Sequence, residues 1–421
     1  MITISLQDAL QRARKYASQV QSADIATLLA KEDLKQAKAA RWPTVNGLNQ
    51  FIYTEGNGTP SGVFVANDGV HVYNEQLIGH EDLLALIRSG PIQLAEAAHA
   101  AARAKADVAA RGLNATVIQD YYTLADEIHR VANAQQSLKE SQQFLDITQK
   151  QEQGGEAAHA DVIKAQLQVQ QHERDLSDME LALRKAKIAL AVLIFPTLQL
   201  QYDIVDDMAQ IPVPPGLPEA TAQAGANNPD VQAAQANVSA ARLGVTVARY
   251  AYLPSFGLDV FYGIDANQFA ATATGQSTGR STLPNYLVTN RQNLGYSAAA
   301  TLNIPLWDWG SIRSKVKQAS LKQRQAELDL TVTQRQLQGD LASAYQEAQT
   351  AFSQISSLRD SSHLSEESLR LTLLRYEAGE ATALEVTDAQ TTLSQARNAY
   401  DDGLLRYRVA LADLQILTGT F

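Results

Sequence analysis

Tyr376-Glu377-Ala378-Gly379-Glu380-Ala381-Thr382-Ala383-Leu384-Glu385-Val386-Thr387-Asp388-Ala389-Gln390 reads as a one-glycine break between two long helical patterns. It has a twin, Gln153-Gly154-Gly155-Glu156-Ala157-Ala158-His159-Ala160-Asp161-Val162-Ile163-Lys164-Ala165-Gln166, 224 positions upstream (155 against 379). Gly155 falls on Gly379, Asp161 on Glu385, Val162 on Val386, Ala165 on Ala389 and Gln166 on Gln390. A hairpin tip that occurs twice at one spacing marks a duplication, and a repeat constrains every later assignment. The division falls in a proline-rich stretch (Pro196, Pro212, Pro214, Pro215, Pro218), giving repeats over 1–205 and 206–421 with tips at about 153–161 and 377–388.

Each tip closes a helical hairpin. Long helices are expected over about Pro91 to Gln153 and Ser311 to Glu377, with return helices to about Phe195 and Leu417. Sixty-odd helical residues span about 95 Å at 1.5 Å per residue, more than a compact domain needs. Leu113, Val117, Tyr121, Leu124, Ile128 and Val131 form an apolar seam; Leu337, Leu341, Tyr345, Ala348, Phe352 and Ile355 repeat it 224 positions on. Steps of three and four along such a seam are coiled-coil packing.

Ahead of each long helix stands another that ends at proline. Leu6 to about Ala40 contains no Gly or Pro and is rich in strong helix formers, so one continuous helix is expected up to Arg41-Trp42-Pro43. The copy lies 211 positions on (6 against 217). Leu217, Ala220 and Ala224 match Leu6, Ala9 and Ala13, and Tyr252-Leu253-Pro254-Ser255 matches Arg41-Trp42-Pro43-Thr44.

Beyond each proline the residues alternate with period two. Phe256, Leu258, Val260, Tyr262 and Ile264 interleave with Ser255, Gly257, Asp259, Gly263 and Asp265; Phe261 alone breaks the rule. Leu294, Tyr296, Ala298, Ala300, Leu302, Ile304 and Leu306 form a second such run. Each has the length and one-sided apolarity of a transmembrane β-strand. Repeat one carries a weaker pair within about 44–77 (Val45, Phe51, Tyr53; Val63, Val65, Val70, Val72), against 255–306 in repeat two. The offset grows from 211 to 224 across this region, so the second strand–loop–strand unit holds about 13 extra residues, placed in the loop 266–293. Four strands leave open edges, which lipid does not tolerate, and are too few for a barrel of eight or more, so closure requires further copies of the chain.

Composition sets the outer limits. The 421-residue chain carries a net charge of −10, which argues against nucleic acid as a partner. It has no cysteine, which excludes disulfides, thiol catalysis and zinc–thiolate sites. Only 6% of residues are aromatic, which favours helices packed through small residues. No apolar run reaches the ~18–20 residues of a membrane helix. No signal peptide is visible, because Met1-Ile2-Thr3-Ile4-Ser5 leads straight into an amphipathic pattern; the expectation is a targeting segment removed from this chain.

With these features on one scaffold, the chain resembles the TolC-like outer-membrane efflux proteins over nearly its whole length. The resemblance rests on Leu6-Gln7-Asp8-Ala9-Leu10-Gln11-Arg12-Ala13, Tyr252-Leu253-Pro254-Ser255, Asn303-Ile304-Pro305-Leu306-Trp307-Asp308-Trp309-Gly310, Tyr376-Glu377-Ala378-Gly379 and Leu417-Thr418-Gly419. It implies a mainly α fold with a membrane β-barrel, in which a homotrimer forms a 12-stranded barrel continuous with a long α-helical barrel. It implies residence in the bacterial outer membrane, extending into the periplasm, and contact with outer-membrane lipid. The tips, at Gly154, Gly155 and Gly379, would meet a periplasmic adaptor that works with an inner-membrane transporter. Glu385 and Asp388 match the acids that line the narrowest part of the tunnel. Tyr376 matches a tyrosine that helps hold the tip closed. The arginine two residues past the tip glycine in the type member is Ala381 here.

Glu385 and Asp388, three apart, share a helix face, and Asp161 adds an acid at the first tip, where Asp388's own counterpart is Lys164. Repeated around a trimer such acids would form rings that favour cations; the plainer account is a solvated helix face. Trp307 and Trp309 at the end of the last strand suit a membrane-interface girdle or, equally, packing at the strand-to-helix junction. Gly275-Gln276-Ser277-Thr278-Gly279 matches a hydrolase pattern but lies between two strands, not at a strand-to-helix elbow. Gly56-Asn57-Gly58 lacks the third glycine of a dinucleotide loop, and the seven histidines show no metal-ligand spacing. The sequence therefore points to a passive channel that exports small molecules or polypeptides, as part of a tripartite efflux or type I secretion system, without catalysis, cofactor or metal. The rival is a soluble coiled-coil scaffold with hairpins packed on its side, and the alternating strands separate the two.

Overall fold

The computed structural model describes residues 2–53, 71–265 and 294–419. The elements in order are β1 (Ile2–Ile4), α1 (Leu6–Tyr16), α2 (Ser18–Ala39), β2 (Thr44–Tyr53), β3 (His71–Asp82), α3 (Gly90–Gly154), α4 (His159–Ile194) and β4 (Tyr202–Ile204). Next come α5 (Leu217–Asn227), α6 (Pro229–Arg249), β5 (Ser255–Asp265), β6 (Leu294–Asn303), α7 (Ser311–Glu377) and α8 (Ala383–Thr418). The chain forms two compact units, and each draws on both sequence repeats.

The first unit takes in Met1–Leu28, Ala100–Ala236 and Glu327–Phe421. The tips of its two hairpins are built alike. Gly155 and Gly379 sit at φ +80° and +76°. Their N–H groups donate to Glu152 O and Tyr376 O, and those of Glu156 and Glu380 reach back to Gln151 O and Arg375 O at 2.8 Å. That is the Schellman arrangement, which satisfies the last helical carbonyls and requires a left-handed residue after the helix. The seams pack as expected at Leu113, Val117, Tyr121, Leu124, Leu341, Ala348 and Ile355, all buried. Ile128 departs from the expectation and is 38% exposed.

Two features of this unit went unseen in the sequence. Ile2–Ile4 pairs in parallel with Tyr202–Ile204; three residues are too few for a periodicity, and the partner lies about 200 positions away. Tyr121 in α3 locks the pair by donating to Val205 O at 2.6 Å, within a core that includes Ile4, Leu190, Ile194 and Tyr407. The expected single helix over 6–40 is also wrong. It breaks at Ala17, whose backbone is extended and which packs partly against that core. The copy breaks at the matching Asn228, where Pro229 follows.

The second unit takes in Leu29–His99 and Asn237–Ala326 and holds a four-stranded antiparallel sheet in the order β2-β3-β5-β6. Directly paired residues share a face, so the register Val45↔Gly79↔Val260↔Ala298 and Gly47↔Leu77↔Tyr262↔Tyr296 defines one side. That side also carries Phe51 and Leu302; the other is mainly polar, with Asn46, Gln76, His80, Asp259, Ser297 and Thr301 beside Leu48, Ile78 and Phe261. The pattern of repeat one reads weakly because Asn49 and Glu75 face each other on the apolar side. Gly263 lets β3 approach closely, since a Cβ there would lie 2.2 Å from Glu75 O. The last strand ends at Asn303, earlier than expected, and Pro305 precludes its extension, so Trp307 and Trp309 lie in the connector to α7. Residues 63–70, 266–293 and the motifs at 56–58 and 275–279 lie outside the described residues.

Candidate functional site

The chemistry-bearing parts fall in three places. The first is the apolar face of the sheet. Val45, Phe51, Leu77, Val260, Tyr262, Tyr296 and Leu302 are all exposed there, Tyr296 at 81%. Among the described residues β2 and β6 each pair on one side only. A sheet with an apolar exposed face and two open edges fits water poorly, and it suits a lipid-facing wall that closes with further strands. Among the described residues no helix is long and apolar enough to cross a membrane. Trp307 and Trp309 are 77% and 90% exposed and pack edge to face at 5.7 Å. Trp309 takes φ +55°, which Asp308 supports by accepting from the N–H of Gly310 at 3.0 Å.

The second place is the pair of tips. Thr382 caps α8 by accepting from the Glu385 N–H at 3.3 Å, and its hydroxyl donates to Glu385 Oε1 at 3.3 Å. Arg375, at the end of α7, lies 3.5 Å from Glu385 Oε2 and donates to Glu380 O at 3.0 Å. Asp388 stands exposed one turn further along α8. Asp161 is paired with Lys164 at 3.2 Å, so the first tip presents its acid partly neutralised. Tyr376 is buried: its ring packs edge to face on Phe144 at 5.1 Å and its hydroxyl donates to Thr148 Oγ1 at 3.3 Å. Tyr376, Asp161, Lys164 and Thr382 line a groove of about 630 Å³ between the two tips. Gly379 lines the same groove, with open space around its Cα. His159 is exposed and contacts Glu152 at 2.6 Å.

The third is a charged cluster midway along α3. His129 lies 2.6 Å from Asp206 and 3.2 Å from Asp401. The hydrogen bond it donates to Asp401, with the one it donates to Asp206, outweighs burial and raises the imidazole pKa to about 9. Burial pushes Asp126 up to about 6, against the pull of Arg130 at 2.7 Å. Arg130 also meets Asp402, and Arg408 joins Asp207 at 2.5 Å. No sequence signal reveals this cluster, because its partners are 77 and 272 positions apart. Among the described residues no group of His, Asp or Glu is arranged to hold a metal.

Residues 220–420 match the family described as Outer membrane efflux protein. The chain is 25% identical to outer membrane protein OprJ of Pseudomonas aeruginosa over 316 residues, 72% of this chain and 60% of that protein. It is 27% identical to fusaric acid resistance protein FusA of Burkholderia cepacia over 248 residues, 57% of this chain and 43% of that protein. It thus spans less than two thirds of the length of these relatives. The solved structure of the outer membrane protein VceC of Vibrio cholerae superposes with a TM-score of 0.81 at 17% identity, covering 98% of this chain and 96% of that one. The outer-membrane channel OprN gives 0.80 at 18% identity, covering 98% and 89%. The sequence match thus covers residues 220–420, and over nearly all of its length the chain shares the fold of these outer-membrane proteins.

Proposed function

We propose that the chain is one third of a passive channel that exports small molecules across the outer membrane. The observation that carries this reading is the sheet: one exposed apolar face, one mainly polar face and two open edges. Three copies give a closed barrel of 12 strands, with the apolar face toward lipid and the polar face around a water-filled lumen. Trp307 and Trp309 then sit at the membrane interface on the helix-bearing side. The match of residues 220–420 to the family described as Outer membrane efflux protein supports export as the activity. We assign the chain no catalytic step; force comes from an inner-membrane transporter, reached through a periplasmic adaptor at the tips around Gly154, Gly155 and Gly379.

Glu385, Asp388 and Asp161 are the gate acids in this reading; Arg375 pairs with Glu385 and Lys164 with Asp161, so Asp388 carries the largest share. Tyr376 holds the tip from inside the chain, by packing from α7 onto Phe144 and Thr148 of α3. The test is single-channel recording of detergent-purified protein in a planar bilayer, beside the Glu385→Ala/Asp388→Ala variant. Cation-preferring openings that lose their preference in the variant support a pore gated at the second tip. Equal selectivity in both would remove the acids from the gate, and no current from either would return the chain to a scaffold role.

A further inference from the structure

The second unit holds a small amphiphilic cavity at the helix-bearing end of the sheet. Its walls come from three pieces of local structure. A tight turn ends α2, with Arg41 N–H donating to Lys38 O at 3.3 Å and Trp42 N–H to Ala39 O at 2.9 Å, and Pro43 stops the helix there. β3 ends at Asp82, whose carboxylate accepts from Leu84 N–H at 3.0 Å and shapes the next turn. The Arg41 guanidinium donates to the carbonyl of Leu86, which fastens the two turns together. The first turn of α3 adds Ile92. Lys38, Arg41, Trp42, Leu86 and Ile92 line this open cavity of about 410 Å³.

The charge of this cavity is uneven. Lys38 Nζ lies 3.6 Å from Glu96 on the exposed surface. Arg41 has a carbonyl partner and, among the described residues, no carboxylate within ion-pair distance. The cavity thus pairs a net positive rim with an apolar floor. Around it Trp42 is 72% exposed and Ile87 78%. It lies two residues before β2, whose Val45 begins the exposed apolar face. An amphiphile with an anionic head and an apolar tail matches each wall at once: guanidinium and ammonium for a phosphate, indole and aliphatic side chains for the glycerol and upper acyl region.

We propose that this cavity binds the headgroup of an anionic phospholipid in the periplasmic leaflet, one per chain. The proposal rests on the channel reading, which places the sheet in the membrane and its helix-bearing end at the periplasmic face. Free phosphate satisfies the rim but leaves Trp42, Leu86 and Ile92 uncovered. A zwitterionic lipid adds a cation to a rim that is already positive.

The test is native mass spectrometry of the full chain in detergent, with phosphatidylglycerol, phosphatidylcholine or inorganic phosphate added, for wild type, Lys38→Gln/Arg41→Gln and Arg41→Lys. The expected result is retention of one phosphatidylglycerol per chain, at least fivefold above phosphatidylcholine. The double variant should lose about tenfold in apparent affinity, and Arg41→Lys, which keeps the charge, should retain most of it. Equal retention of the two lipids, an unchanged double variant, or full displacement by inorganic phosphate would overturn the site. So would a neighbouring copy that covers the cavity and excludes lipid. Oligomeric state and bilayer conductance are recorded on the same samples: a monomer that needs no detergent overturns the channel reading and the site with it, whereas a conducting oligomer that ignores phosphatidylglycerol overturns the site alone.

Discussion

Ala17 and Asn228, 211 positions apart, share one backbone conformation, φ −69° and ψ 119°. At both, an extended residue separates two helices, and both N–H groups bond back to the carbonyl four residues earlier. In repeat two the cause is local. Pro229 disfavours a helical residue before it, and the Asn228 side chain caps α6 by accepting from Asp230 N–H at 2.9 Å. In repeat one neither device is present, and the packing of Ala17 against the core holds the same break.

Ser18→Pro should therefore be tolerated and stabilising. Ser18 is exposed, begins α2 and occupies the position of Pro229, so the ring removes freedom from the unfolded chain without breaking a helical bond. The gain should be about 0.4–1 kcal/mol, read as a raised thermal midpoint. A loss of stability would show that the two breaks differ in detail.

At the tips, Gly379→Ala and Gly155→Ala should each cost about 1–2 kcal/mol, because the left-handed backbone opposes a Cβ. No atom lies within 4 Å of a Cβ built at either glycine, so the cost is conformational and Gly379→Asn should recover much of it. A loss as large in the Asn variant as in the Ala variant would point to a clash instead.

Tyr376 separates packing from hydrogen bonding at the tip. Tyr376→Phe removes only the contact with Thr148 and should cost about 0.5–1.5 kcal/mol, whereas Tyr376→Ala should cost about 3–5. Protease nicking near residues 377–382 provides the readout, and it should rise far more in the Ala variant. Equal nicking in both would place the hydroxyl, not the ring, at the centre of the tip.

The cluster at His129 gives the pH dependence a definite sign. Its pKa is raised to about 9 in the folded chain from 6.5, so the stabilisation is fully present below about pH 6.5 and disappears as pH rises through 9. Burial raises Asp206, but its bonds to His129 and Met208 N–H leave it lowered overall, so its share is lost only in acid. Unfolding midpoints measured from pH 6 to 10 should fall by the equivalent of about 1–2 kcal/mol, after allowance for solvent screening. In His129→Gln that fall should be largely absent, and a wild-type profile in the variant would remove His129 as its source.

Features that depend on near neighbours were legible in the sequence alone. The Schellman tips at Gly155 and Gly379 follow from one residue free to take positive φ between helix formers. The β5 strand follows from an alternation that Phe261 alone breaks, and α7 was legible from Ser311 to Glu377 because no proline interrupts it. The gate acids and tip glycines came from matching these local signals to a family and stand as proposals. Tertiary structure decided the features that depend on remote partners. Ile2–Ile4 becomes a strand only beside Tyr202–Ile204, and Ala17 leaves the helix only against its core. Tyr376 turns inward only because Phe144 and Thr148 wait 228 or more positions upstream. His129 finds two carboxylates, and Arg41 and Trp42 gain an apolar floor, only when distant segments fold together. Backbone propensity acts over a few residues, and burial and charge pairing act over a few ångströms regardless of chain separation.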